Sequence, residues 1–156
     1  GDMVLMTSYA PLLAKEGYTQ WNPDLIYFNN KEVKPSVGYY TQLLYGQNLG
    51  DRYLPAESKI DNSRNDVRSR IASSIVRDSK TGDLIIKLVN LLPVEVNSQM
   101  NLPADTKDKQ AQAIVLSGEP DDRNAKPVEK ALTASEKLAY TLPPYSFSVI
   151  RFSAKE

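Results

Sequence analysis

The strongest constraint on the fold is a nearly continuous aliphatic run at residues 84–92, which reads LIIKLVNLL. A strand with one face in water alternates polar and apolar side chains, whereas this run has large aliphatic side chains at successive positions. We therefore expect a strand that is covered on both faces. Pro93 follows the run directly and should end the strand, because proline has no backbone N–H to donate.

After residue 50, the chain consists of short apolar segments separated by turn residues. Residues 78–83 should form a hairpin connection in which Gly82 is free to adopt a positive φ. Residues 119–126 are polar and rich in turn formers, as expected of a surface loop. Further strands are expected at residues 70–77, 94–97, 111–116, 138–142 and 145–152. Several short strands with turns between them predict a sandwich or barrel.

The first fifty residues have a different pattern, with apolar side chains at helical spacing. We expect a short helix over residues 4–13, which Pro11 should kink or end. The apolar run at residues 25–28 predicts a buried strand. Ser36 is placed to cap a second helix, and Gly50 to end it in a left-handed conformation. Such a helix-strand-helix segment is too small to close a core alone, so it must pack on the β part or on something outside the chain.

The 156 residues include no histidine and no cysteine, and these two absences exclude several classes of chemistry. Hydrolases of the Ser-His-Asp or Cys-His type need an imidazole to accept the proton of the nucleophile. Typical zinc sites need imidazole or thiolate ligands. Carboxylate, lysine, tyrosine and arginine side chains are what remains for acid–base catalysis.

Nineteen basic residues balance nineteen acidic ones, so the formal net charge is zero. The chain therefore has no overall field that would attract nucleic acid or an anionic membrane. No apolar run approaches the length that is needed to cross a bilayer. We expect neither nucleic acid nor a membrane among the partners.

Two carboxylate pairs, Glu57 with Asp61 and Asp121 with Asp122, are the candidates for a glycosidase site. A glycosidase holds its two carboxyl groups about 5 to 9 Å apart on rigid elements that face a cleft. Both pairs lie in polar, turn-like stretches that do not enforce such a geometry. Residues 61–66 have the oxygen ligands of a calcium loop but lack its central glycine and its distant bidentate glutamate. We therefore expect no catalytic, cofactor-binding or metal-binding residue in this chain.

Two aromatic residues are candidates for contact with a sugar. Trp21 is the single tryptophan and precedes an Asn-Pro-Asp turn, where its ring could serve as a stacking platform. The alternative is that Trp21 anchors the packing between segments. Tyr145, beside the Pro-Pro break before the last strand, is the second candidate. Other tyrosines follow helical spacing, which favours a helix face that packs on a neighbour: Tyr9, Tyr39, Tyr40 and Tyr45.

Residues 6–13 read MTSYAPLL, and residues 21–28 read WNPDLIYF. Together they resemble the end of the catalytic barrel in the α-L-arabinofuranosidase family of glycoside hydrolases. There a helix reading M-x-S-Y-A-P-L precedes a last strand reading W-N-P-D-x-I-x-F. Residues 35–44 resemble the final barrel helix of that family, although Val37 and Gly38 interrupt the usual pattern. Residues 142–152 resemble its closing strand.

The resemblance implies that residues 1–48 are the helix, strand and helix at the end of a (β/α)8 barrel. Residues 49–156 would then form a jelly-roll-like C-terminal β-sandwich domain, so that the fold class is mainly β. Family members are retaining hydrolases that remove terminal α-L-arabinofuranosyl groups from arabinan and arabinoxylan with two glutamates on earlier barrel strands. Neither glutamate motif occurs here, so the resemblance transfers no catalytic residue. It implies a structural segment whose main partner is the catalytic barrel of the same parent chain.

Two alternatives stay open, a carbohydrate-binding module that uses Trp21 or Tyr145 and an independent carboxylate glycosidase. The apolar faces of the barrel-end segment also need cover in place of the barrel, from the sandwich or from a second copy of the chain in a homo-oligomer. These faces are expected around Tyr9, Leu12, Ile26, Phe28, Tyr39 and Leu43. The first residues show no signal peptide. The fragment leaves the location of its parent undetermined, and the periplasm or the extracellular space is expected for an enzyme that degrades plant polysaccharides.

Overall fold

The computed structural model describes residues 6–106, 109–133 and 137–154. The chain begins with a small sheet and a helix and continues mainly as β-strands. The elements are β1 (Leu13–Lys15), β2 (Ile26–Phe28), β3 (Val33–Pro35), α1 (Val37–Gln47), β4 (Arg52–Tyr53), α2 (Asn65–Arg68), β5 (Ile71–Arg77), β6 (Leu84–Asn90), β7 (Val96–Asn101), a 3-10 turn (Ala104–Thr106), β8 (Gln110–Ser117), β9 (Val128–Thr133), β10 (Lys137–Leu142) and β11 (Ser146–Phe152).

The central feature is a six-stranded sheet with the order β4-β5-β6-β11-β8-β9, which we call the large sheet. All of its neighbouring strands are antiparallel. Strands β7 and β10 form a separate antiparallel ribbon. Between β6 and β11 the chain crosses repeatedly from the large sheet to the ribbon and back, which is the jelly-roll type of connection. The predicted mainly β, jelly-roll-like fold is confirmed.

The large sheet is buried on both faces. Toward the ribbon, its aliphatic side chains pack on those of β10, in a cluster that contains Leu84, Ile86, Leu88, Ile150, Phe152, Leu138, Tyr140 and Leu142. Toward α1, a second cluster contains Ile85, Leu116, Phe147, Val149 and the helix residue Leu44. Successive residues of β6 thus enter two different cores, as the period of two in a strand requires. The prediction that this strand is covered on both faces is confirmed.

Helix α1 begins as predicted but ends differently. The Ser36 side chain accepts a hydrogen bond from the backbone N–H of Tyr39 at 3.3 Å, which confirms Ser36 as the N-cap. At the other end, the Asn48 side-chain amide donates to the Leu44 carbonyl at 2.9 Å. Gly50 has no positive φ; a Cβ there would lie 2.7 Å from Val76. The glycine is therefore needed for close approach of the chain to β5 and not for a left-handed turn.

The predicted first helix is wrong for the described residues 6–13, and Val4 and Leu5 lie outside the described residues. Leu13–Lys15 forms β1, which runs parallel to β2. The Pro11 carbonyl accepts from the backbone N–H of Leu25 at 3.2 Å, and the Leu12 carbonyl accepts from that of Ile26 at 2.9 Å. These backbone groups bond to a neighbouring strand instead of to a helical turn, and Pro11 has no N–H for a helix.

Besides β1, which the sequence placed in a helix, three strands were missing from the sequence prediction: β3, β9 and the two-residue β4. Strand β3 pairs antiparallel with β2 and completes the small sheet, β1-β2-β3. Strand β9 lies at the edge of the large sheet, and its side chains are mostly exposed, with Leu132 alone half-buried. A strand that buries so little carries no clear apolar alternation, so its sequence does not distinguish it from a loop.

A partly buried ion pair joins the start of β6 to the end of β11. The Asp83 carboxylate accepts from the Arg151 guanidinium at 2.7–2.8 Å and from the backbone N–H of Ala154 at 3.0 Å. Burial alone would raise the pKa of Asp83, but the hydrogen bonds from Ala154 and Arg151 outweigh it and hold the pKa below its ordinary value of 3.8. The ionised carboxylate is therefore stabilised in the folded chain.

Truncation on either face of β6 should destabilise the fold. Ile85 and Ile86 are both fully buried, the first against α1 and the second against the ribbon. We expect Ile85→Ala and Ile86→Ala each to lower the free energy of unfolding by about 2–5 kcal/mol, because each leaves a cavity. Urea unfolding measures both. Val128→Ala, at an exposed position of β9, is the control and should change stability by less than about 0.5 kcal/mol. If Ile85→Ala alone lowered the free energy of unfolding only slightly, that result would contradict the burial of Ile85 under α1.

Replacement of Asp83 should remove a pH-dependent part of the stability. The pKa of Asp83 is lower in the folded chain than in the unfolded one, so its contribution is present above the unfolded pKa and is lost as the pH falls through the folded pKa. We expect Asp83→Asn to cost about 1–3 kcal/mol at pH 7, with a smaller difference from the wild type at pH 3. Urea unfolding at both pH values tests this, with the exposed Asp121→Asn as control. A loss of unfolding free energy that is equal at both pH values would contradict this prediction.

Candidate functional site

A cleft of about 530 Å³ lies between α1, the end of β6, the loop after β8 and the start of β11. Its volume is in the range of pockets that hold small ligands. The side chains that give it chemical character are three aromatic rings and two carboxylates: Tyr45, Tyr145, Phe147, Glu119 and Asp122. Elements that are distant in the sequence therefore build one concave surface.

Helix α1 positions the first aromatic wall of the cleft. The rings of Tyr45 and Phe147 stack with their centroids 4.5 Å apart and their planes at 14°. Phe147 is buried, whereas 44% of Tyr45 is exposed, so the buried ring supports the accessible one. The Lys87 ammonium lies 6.0 Å from the centroid of Tyr45. Burial lowers the pKa of Lys87.

Tyr145 has a strained backbone, with φ at +44°, in a region that side chains other than glycine rarely adopt. Several hydrogen bonds hold the turn around it. The backbone N–H of Tyr145 donates to the Leu92 carbonyl at 3.1 Å. The Pro143 carbonyl accepts from the fully buried Asn90 side chain at 2.8 Å and from the Ser146 hydroxyl at 2.7 Å. The core thus enforces the conformation that places Tyr145 at the cleft.

The loop between β8 and β9 gives the cleft an acidic rim. The backbone N–H of Asp122 donates to the Glu119 carbonyl at 2.9 Å, and the Asp122 carboxylate accepts from the backbone N–H of Asn124 at 2.7 Å. A Cβ at Gly118 would lie 2.8 Å from the Asp122 carboxylate and 3.0 Å from the Ala125 Cβ, so the loop folds back closely over that glycine. No lysine or arginine is among the described residues that line the cleft.

The structure separates the two residues that the sequence suggested for sugar contact. Tyr145 lines the cleft, whereas Trp21 lies in the loop between β1 and β2 with 66% of its surface exposed. The backbone N–H of Trp21 donates to the Thr19 hydroxyl, which in turn donates to the buried Asp24 carboxylate at 3.0 Å. The second Asp24 oxygen is buried without a hydrogen-bond partner. The loop thus fixes the backbone at Trp21 and leaves the ring accessible.

Of the carboxylates that the sequence suggested for a site, Asp122 lines the cleft, whereas the other candidates have no cleft or ligand geometry in the described part of the chain. Glu57, Asp61 and Asp121 are exposed. In the loop that suggested calcium, the Arg64 backbone N–H donates to Asn62, and the Arg64 guanidinium pairs with Asp66. Within the described ranges, no three acidic side chains converge as metal ligands. Nor does any helix described here have the length and apolarity to cross a bilayer.

Sequence reasoning missed Phe147 and Glu119 as neighbours of Tyr145, and it assigned Tyr45 to a packing face. The cleft residues come from α1, the loop after β8 and the turn before β11. No motif joins these three segments, so the only signal in the sequence was the unusual tyrosine after two prolines.

A family model described as the α-L-arabinofuranosidase C-terminal domain matches residues 1–146. Alpha-L-arabinofuranosidase 2 of Arabidopsis thaliana is 31% identical over 159 residues, which cover 94% of this chain and 23% of that protein. The extracellular exo-alpha-L-arabinofuranosidase of Streptomyces chartreusis is 49% identical over 57 residues, 36% of this chain and 7% of that protein. Among solved structures, the arabinose-bound α-L-arabinofuranosidase MgGH51 is 27% identical, with a TM-score of 0.80 over 97% of this chain and 25% of that one.

The chain therefore spans about a quarter or less of the length of the proteins that it matches. The likeness to MgGH51 extends through the small sheet, α1 and the sandwich, since it covers nearly every residue. With a family model matched over residues 1–146 of 156, the chain belongs to the family of α-L-arabinofuranosidase C-terminal domains.

Proposed function

We propose that this chain is a non-catalytic, structural domain that supports the catalytic barrel of a longer α-L-arabinofuranosidase. The parent would hydrolyse terminal α-L-arabinofuranosyl groups of arabinan or arabinoxylan. The names of the relatives and the share of their length that the chain spans support this proposal. The observation that carries it is an apolar face of the small sheet that has no cover in the described part of the chain.

That face follows from the register of the small sheet. Leu13 is paired with Ile26, and Phe28 with Val33, so these four side chains lie on one side of the sheet, together with Pro35 and the charged Lys15. Leu13 and Val33 are 63% and 66% exposed, while Ile26 and Phe28 are half-buried. We call these four residues the outer face. Ala14, on the opposite side, is buried. Contiguous exposed aliphatic side chains of this kind mark a surface that a partner covers.

The distribution of exposed apolar side chains along the chain supports the same partner. In the described residues, twelve large apolar side chains are strongly exposed, and eight of them lie between residues 6 and 49. Leu12 is among them at 57%, whereas Tyr9, Tyr39 and Leu43 are half-buried. Of the residues expected on apolar faces, Ile26 and Phe28 lie on the outer face that needs cover, and Leu12 is exposed directly before it in the chain.

We assign residues 1–48 to the end of the parent's barrel and residues 49–156 to the C-terminal domain. The parallel pairing of β1 and β2 supports this division, because (β/α)8 barrels are built from parallel strands and the sandwich here is antiparallel. The catalytic barrel of the parent chain is the partner that would cover the outer face.

The cleft supports the proposal that this chain is not catalytic. Glu119 and Asp122 are the two carboxylates at its lining, and both belong to one tight turn of the β8–β9 loop. A glycosidase needs its two carboxyl groups on rigid elements on opposite sides of the scissile bond. Two groups on the same turn cannot flank a substrate.

The outer face should matter for the stability of the parent and not for the folding of a single isolated chain. We expect Leu13→Glu to change the free energy of unfolding of the isolated chain by less than about 0.5 kcal/mol, because the side chain is exposed. In the full-length parent the same change would bury a charge and should lower the melting temperature and the activity. Val128→Glu, on the edge strand β9, is the matched control and should be tolerated in both. Equal tolerance of Leu13→Glu in the parent would contradict the proposal.

The isolated chain should bring two outer faces together when no barrel covers them. We expect association at micromolar concentrations in sedimentation velocity, because burial of exposed aliphatic area is favourable. Leu13→Glu should abolish it. A clean monomer for the wild-type chain would argue against the homo-oligomer and leave the barrel as the only cover.

The isolated chain should not hydrolyse a furanoside. We expect no release of nitrophenol from 4-nitrophenyl α-L-arabinofuranoside above the uncatalysed rate, since no carboxylate pair flanks the cleft. The full-length parent is the positive control. Turnover that Glu119→Gln or Asp122→Asn abolishes would show an active site in the cleft and overturn the proposal.

A further inference from the structure

We propose that the cleft beside Tyr145 is a binding site for a neutral sugar, a short furanoside or pyranoside chain. This inference goes beyond the structural role above and does not depend on it, because the cleft and the outer face share no residue. The domain would then hold polysaccharide as well as support its parent.

The chemistry of the lining selects a polyhydroxylated, uncharged ring. Sugar rings have an apolar C–H face that packs on aromatic side chains, and the exposed Tyr45 ring, backed by Phe147, offers such a surface. Sugar hydroxyl groups donate hydrogen bonds, and the Glu119 and Asp122 carboxylates at the rim accept them. The two carboxylates would repel an anionic ligand. No lysine or arginine is among the described lining residues; Lys87 lies 6.0 Å from the Tyr45 ring centroid, and Arg70 donates to the Leu91 carbonyl.

The backbone at Tyr145 supports a role for its side chain. A residue at φ +44° is strained unless it is glycine, and glycine would be the simplest residue to turn the chain there. Strained positions that the surrounding core enforces are often found at ligand sites. Here the enforced position is in the cleft itself, across from the α1 wall. The tyrosine at this position has a strained backbone conformation and lines the cleft, which a glycine side chain could not do.

Two walls of the cleft are rigid, which favours binding. Tyr45 projects from α1, whose Leu44 is buried in the core, and Phe147 lies in the central strand β11. The Pro143 carbonyl is held by the buried Asn90 side chain. A preformed site loses little conformational entropy when a ligand enters.

The test is calorimetric titration of the chain with arabinotriose, xylotriose, cellotriose and trigalacturonate. At about 10 mM sugar, a site with a dissociation constant of about 1 mM would be about nine-tenths occupied. We expect saturable binding of at least one neutral trisaccharide, with trigalacturonate at least tenfold weaker. Saturation with trigalacturonate as strong as with the neutral sugars would overturn the proposal, as would no heat from any sugar.

Variants locate the site. Tyr145→Gly suits the positive φ and should keep the fold in circular dichroism while it weakens binding at least tenfold. Glu119→Gln, at an exposed side chain, cannot disturb the core and should weaken binding severalfold. Trp21→Ala is the control and should leave binding unchanged. Binding that survives both cleft variants, or that Trp21→Ala removes, would overturn the assignment to the cleft.

The outer-face variant Leu13→Glu should bind sugar normally, so failure of the sugar-binding proposal and failure of the structural proposal can be recognised separately.

Discussion

The structure depends on the need to cover both faces of the large sheet. Its central strands, β6 and β11, bury nearly every successive side chain, and water on either face would cost much of the hydrophobic stabilisation. The ribbon of β7 and β10 covers one face, and α1 covers the other with Leu44 and its neighbours. The jelly-roll connections place the ribbon on one face of the large sheet. The chain before residue 48 supplies the helix that covers the opposite face.

Helix α1 is shared between the barrel-end segment and the sandwich. By sequence resemblance the helix is the end of a barrel, yet its buried residue Leu44 belongs to a core of the sandwich. A boundary at residue 48 therefore separates two sequence patterns and not two hydrophobic cores. In the parent that we propose, the same helix would touch the barrel and the C-terminal domain at once, which explains how a small β domain can support a larger neighbour.

The parts of the fold that were predictable are those with strong local signals. The run at 84–92 specified a doubly covered strand, Ser36 specified a helix start, and Gly82 adopts the expected positive φ of 80° in its hairpin. The helix predicted over 4–13 failed in its described part, residues 6–13, because its apolar spacing also suits a strand next to β2, and because spacing alone does not reveal parallel partners. The cleft was not predictable, since Tyr45, Glu119 and Tyr145 meet only through the tertiary fold.

The direct passage from β3 into α1 has a mechanical consequence. Pro35 ends the strand, Ser36 caps the helix, and the Ser36 backbone N–H donates to the Leu25 carbonyl at 3.0 Å, so no flexible residue intervenes. A hinge at this junction would have to break the cap and pull Leu44 from its core. The small sheet and the sandwich should therefore move as one rigid unit, so that a displacement of either one also displaces the other.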